Sequence, residues 1–151
     1  MQNIDEHLYN VRVSWKEGKV GELISEELNE KIKVATPPQF PGGVEGIWSP
    51  EHLFTAAVSS CFMTSFTAIA EYSKFEFESL DVESSGVMSK VDGKFLISKV
   101  ILKPVLSIRD ESHIKKAHRL LEKAEQICLI SRSIKSEIEL HPQVKILSLI
   151  D

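Results

Sequence analysis

The side chains in this sequence with the most chemistry to offer are its two cysteines, Cys61 and Cys128. A thiolate is both a nucleophile and a reductant, and its reactivity follows its pKa and its access to solvent. The two do not form a Cys-x-x-Cys pair: Cys61 lies in AAVSSCFMTSF and Cys128, far along the chain, in AEQICLISRS. Two cysteines are too few for a secreted disulfide scaffold. The opening residues, MQNIDEHLYN, have neither the basic start nor the apolar run of a signal peptide. A cytoplasmic location is expected, and there two thiols are either small buried core residues or a redox pair. The histidines, His7, His52, His113, His118 and His141, show no ligand spacing, so no metal is expected.

Both cysteines fall on stretches that read as helices. Ser49 suits an N-cap, Pro50 the first helical position, and Glu51 the positive end of the helix dipole. No Asp, Glu, Lys or Arg occurs between Glu51 and Glu71. Thr55, Ser59, Ser60, Thr64, Ser65 and Thr67 interrupt that run, which argues against a membrane span. Pro50 to about Ser73 is thus predicted as a central helix, buried on most sides. Asp110 is predicted to cap a second helix whose inward stripe is Ile114, Ala117, Leu121, Ala124 and Cys128. Two such helices packed face to face, with axes roughly 8–10 Å apart, would let the thiols meet.

Strand patterns surround the helices. Tyr9 to Trp15 alternates, Val20 to Ile24 follows a Glu17-Gly18 turn, and Lys31 to Ala35 makes a third strand. The Pro- and Gly-rich stretch from Pro37 to Ser49 reads as a structured loop leading into the first helix. Residues 79–91 and 94–108 read as a hairpin about Asp92-Gly93, and Glu137 to Leu147 as a final strand. Strands, helix, hairpin, helix, strand is an α+β order with antiparallel sheet. At 151 residues, 42% hydrophobic and 26% charged, the chain is sized and composed as one soluble domain. Its net charge of −4 argues against nucleic acid as a general partner. Trp48, Phe40 and Phe54, around the loop and helix start, would line an apolar pocket or pack in a core or an interface.

SPEHLFTAAVSSCF resembles the stretch of OsmC/Ohr proteins in which Asn/Ser-Pro-Glu leads to a cysteine ten residues after the Glu. AEQICLISRSIKSEIEL is similar to the second family signature, a helix ending in Cys with Ser three positions on, before the last strand. With the matching order of elements, the resemblance covers nearly all of residues 1–151, as a single OsmC-like domain. It implies antiparallel sheets wrapped around two central helices in an intertwined homodimer, with active sites shared between the copies.

The function that the resemblance implies is reduction of organic hydroperoxides to alcohols. Cys61 would be the peroxidatic thiolate, Cys128 the resolving thiol, and an external dithiol the reductant, with no bound cofactor. Glu51 would be the third catalytic residue. On one straight helix Glu51 and Cys61 stand about 15 Å apart along the axis, so Glu51 would serve the Cys61 of the other copy. On its own residues Glu51 reads equally as an acidic first-turn residue. The family's best-studied peroxidases also use an Arg, placed before the Glu, to activate the thiolate. Here none occurs between Arg12 and Arg109, which leaves Lys16, Lys19 or Arg12 as substitutes. The competing expectation is a non-catalytic dimer that binds an apolar small molecule or senses redox state slowly.

Overall fold

A computed structural model describes residues 6–148. The chain divides into two compact units, Met1–Leu53 and Phe54–Asp151.

In the first unit, β1 (Arg12–Glu17), β2 (Val20–Ile24) and β3 (Ile32–Ala35) form an antiparallel sheet in that order. β1 starts three residues later than the alternation of Tyr9 to Trp15 suggests. That alternation does not mark a covered face, because Val11, Val13 and Trp15 are all exposed, Trp15 by 75%. The β1–β2 turn uses Gly18 at φ +51°, and the Trp15 indole N–H donates to its carbonyl at 2.9 Å. The expected loop is structured: the Ala35 N–H donates to Trp48 O and the Val44 N–H to Thr36 O, each at 2.9 Å. A side chain at Gly43 would overlap the Pro37 carbonyl. The loop ends on Ser49, which is fully buried and whose Oγ accepts the His52 N–H at 3.1 Å, as an N-cap does.

Helix α1 runs Pro50–Tyr72 and is, by length and composition alone, long and apolar enough to cross a membrane. Within the second unit it acts as a core helix, but it is not buried on most sides. Val58, Phe62, Phe66, Ile69 and Ala70 form one buried stripe at spacings of three and four. Ser60, Met63 (40% exposed), Thr64, Ala68 and Tyr72 lie open. Lack of charge thus marks a helix with one buried apolar stripe and a second side that is uncharged but open.

β4 (Ser79–Val91) and β5 (Lys94–Ile108) form the expected hairpin, with Asp92 and Gly93 at φ +50° and +78°. Two positive φ angles in a two-residue loop make the primed turn that matches strand twist. Gly86 on β4 lets α1 approach closely, since a Cβ there would overlap Thr55 Oγ1. On β5, alternate residues Val100, Leu102, Leu106 and Ile108 are buried. They meet the α1 stripe and Ala117, Leu120, Leu121 and Ala124 of α2 (Ile114–Ile127) in one core cluster.

The α+β class therefore holds, with two amendments at the C-terminal end. Asp110 caps a 3-10 turn, Glu111–His113, that leads into α2, and Ser112 donates to its carboxylate through both N–H and hydroxyl. The expected last strand is two short ones, β6 (Glu137–Leu140) and β7 (Gln143–Ile146), both parallel to β5. They run parallel because a helical crossover carries the chain back to the sheet's starting end. They are separate because Pro104 of β5 has no N–H to offer. It shares a side of the strand with Leu102, whose carbonyl accepts from His141 N–H at 2.8 Å.

Candidate active site

Both cysteines lie in the second unit, on elements that turn them toward each other. Cys61 is half-buried on α1, one residue before the core residue Phe62. Cys128 is fully buried and continues the inward stripe of α2, yet it is not in that helix. Its backbone is extended (φ −60°, ψ 116°), which ends α2 and starts α3 (Leu129–Ser133) in a new direction. The first N–H groups of a helix have no partner within it. Those of α3 are turned toward the two sulfurs.

Burial acts to raise the Cys61 thiol. Against it stand hydrogen bonds from the Cys128 thiol, the Ile130 amide, the Ser65 hydroxyl and the Leu129 amide, which together bring Cys61 below an ordinary thiol. Ser65 is one helical turn on from Cys61, with Oγ 3.9 Å from Sγ. Cys128 shifts the other way. Burial raises it first, and the hydrogen bond to Cys61 and the charge there raise it further; the Ser131 hydroxyl and amide offset part of this. Negative charge is thus favoured on Cys61 and the proton on Cys128. A half-buried thiolate beside a fully buried thiol can attack an electrophile and then be captured as a disulfide. Both thiols are free in this structure.

The other residues singled out in the sequence are distributed as follows. Glu51 is in the first turn of α1, in the first unit, and partly buried. Phe40 is partly buried in the loop, where its N–H donates to Pro37 O at 3.1 Å. Trp48 is half-exposed and lies edge-on to the His52 ring. Phe54 belongs to the second unit and packs against its core. The cation substitutes are all in the first unit. Arg12 donates to Ser14 Oγ at 2.9 Å, Lys16 lies 3.9 Å from Glu22, and the Lys19 stem runs beside Gly42. The groups named above as acting on Cys61 are uncharged donors from the second unit. Among the described residues, no group of three or more His, Cys, Asp or Glu could hold a metal ion.

Sequence reading alone missed the donors. Ser65 stands out there only as one of six polar interruptions of an apolar helix, although its i+4 spacing from Cys61 was available. The Leu129 and Ile130 amides carry no side-chain signal at all, since what frees them is the backbone break at Cys128.

Comparison with known proteins gives a consistent picture. The model of the OsmC family, described as OsmC-like protein, matches residues 43–142. An uncharacterized protein, YmaD, of Bacillus subtilis (strain 168) is 29% identical over 147 residues, 94% of this chain and 95% of that protein. Peroxiredoxin OsmC of Escherichia coli (strain K12) is 30% identical over 99 residues, 64% of this chain and 67% of that protein. Among solved structures, an OsmC-like protein of unknown function from Vibrio cholerae superposes with a TM-score of 0.81 at 25% identity, covering 91% of this chain and 99% of that one. The organic hydroperoxide resistance protein OhrB of Bacillus subtilis superposes at 0.64 with 21% identity, covering 92% and 100%, a likeness of fold.

Proposed function

The chain belongs to the OsmC family, and from that membership we propose that it is a thiol peroxidase that reduces organic hydroperoxides. The observation that carries the reading is the donor set that favours charge on Cys61 while its neighbour Cys128 keeps a proton. The names of the peroxiredoxin OsmC and organic hydroperoxide resistance relatives point the same way.

In the first step the Cys61 thiolate attacks the outer oxygen of ROOH. The O–O bond breaks, the alkoxide takes up a proton and leaves as alcohol, and Cys61 becomes a sulfenic acid. In the second, the Cys128 sulfur attacks that of Cys61, and the S–O bond breaks. The displaced hydroxide and the Cys128 proton leave as water, and a disulfide remains. A dithiol then reduces the disulfide and is itself oxidised to a cyclic disulfide. No resident cofactor enters this cycle, and thiols that must be reset suit a reducing compartment such as the cytoplasm. The uncharged donors on Cys61 take the place of the family's arginine.

The working form in this reading is a homodimer in which Glu51 of one copy serves Cys61 of the other. Residues 1–151 then act as one functional domain. Support comes from the exposed Val11, Val13 and Trp15 of the first unit and, separately, from Met63 and Tyr72 on the open side of α1, apolar side chains that a second copy would cover.

The test is consumption of cumene hydroperoxide with dithiothreitol as reductant. The protein should turn over, and without reductant one equivalent of peroxide should remove two thiols per chain. Cys61→Ser should be inactive, and Cys128→Ser should stop at a sulfenic acid that dimedone labels. Peroxide loss no faster than with Cys61→Ser would overturn the reading and favour a ligand-binding member of the family.

A further inference from the structure

The seam between β5 and the last two strands has a gap, and a cavity opens over it. Leu102 pairs with Leu140, and Val105 with Gln143. The two registers agree across the break, which sets Lys103 beside His141 and Pro104 beside Pro142. Two facing prolines offer no N–H from either strand, so the ladder cannot close there. The cavity has a volume of about 500 Å³, within the roughly 300–1,000 Å³ of small-molecule sites.

Side chains alternate between the two faces of a strand. Val82, Leu102 and Leu106 turn into the core with α1 and α2, so Asp81, Glu83, Lys103 and Val105 turn to the outer face. Register adds His141 and Gln143, and all six line the cavity. They stand in two rows across the strands, Asp81–Val105–Gln143 and Glu83–Lys103–His141. Columns are about 4.8 Å apart and rows about 7 Å.

Further along the same face the charges pair with one another: Lys99 lies 3.1 Å from Glu139, and His141 3.4 Å from it. Around the cavity they do not. Lys103 is directly opposite Glu83. Yet among the described residues the side chains of Asp81, Glu83, Lys103 and Gln143 have no hydrogen-bond or ion-pair partner. Two carboxylates on β4, an apolar floor at Val105 and donors at Lys103 and Gln143 suit a ligand that carries both charges. An extended dipeptide spans about 7 Å, a length that two strand spacings accommodate.

We propose that this cavity binds a small zwitterion of amino-acid or dipeptide size. Its ammonium lies against Asp81 and Glu83, its carboxylate against Lys103 and Gln143, and its apolar part over Val105.

The site is on the face of the sheet away from α1 and α2, and the inference does not rest on the thiol chemistry. Its test is titration of the full chain with L-alanyl-L-alanine, followed by amide NMR. The Gln143 side-chain amide and the backbone amides of Asp81 and Val105 should shift and saturate. The same dipeptide with its amine acetylated and its carboxyl amidated should bind at least about tenfold more weakly, the scale of one hydrogen bond to a charged group. Asp81→Asn and Lys103→Gln keep the side-chain shape at exposed positions, and each should weaken binding about tenfold. The spectra of both variants report directly that the fold is kept. No saturable shift, equal affinity for the blocked dipeptide, or binding unchanged in both variants would each overturn the inference. So would the same shifts, at equal affinity, from acetate or methylammonium alone.

Discussion

Cys61 and Cys128 are chemically identical, and their surroundings divide the labour between them. Four uncharged donors outweigh burial at Cys61, whereas burial and the hydrogen bond to Cys61 dominate at Cys128. The sign is testable by alkylation, because iodoacetamide reacts with the thiolate. Cys61 should be labelled at a lower pH than a free thiol and Cys128 at a higher one, each site read by peptide mass. Ser65→Ala removes one donor and should move the Cys61 profile to higher pH without reversing the order of the two sites. Unchanged labelling would leave Ser65 without a role. The identity of the two cysteines was plain from sequence, but their difference was not. It comes from amides and hydroxyls whose direction depends on where α1 and α3 end up.

At the scale of elements, local signals served well where the cause was itself local. Ser-Pro-Glu started α1 and Asp-Gly made the primed turn, each through a preference of those residues for the required backbone angles. Ser49→Ala should therefore cost about 1 kcal/mol in chemical denaturation, the usual worth of an N-cap. Non-local features were misread. The last strand divides because Pro104, remote in sequence, cannot donate to it, and α1 proved buried on one side only. The close passage of α1 over β4 at Gly86 is equally non-local. Gly86→Ala should destabilise by about 1–3 kcal/mol through overlap with Thr55. Adding Thr55→Ala should recover part of that loss, and strict additivity of the two would rule out the contact as the cause.

At the scale of the whole molecule, the open apolar surface should be covered by a second copy. Sedimentation should give twice the chain mass, and Trp15→Glu with Val13→Asp should shift the protein toward monomer. If Glu51 serves the partner's Cys61, Glu51→Gln and Cys61→Ser subunits, each inactive alone, should regain activity when unfolded and refolded together. Heterodimers without activity would place Glu51 outside the reaction. The sequence by itself determined the residue types, the Ser49 cap and the Asp-Gly turn, the order of elements as far as the second helix and, through two motifs around the cysteines, the family. These are properties of neighbours along the chain, where backbone preference and periodicity act directly. Only the tertiary structure decided that the thiols meet, which of them is favoured as the thiolate, and that the Cys128 thiol, the Ile130 and Leu129 amides and the Ser65 hydroxyl favour it. Those outcomes depend on the direction of hydrogen-bond donors and the degree of burial, which exist once distant segments have packed.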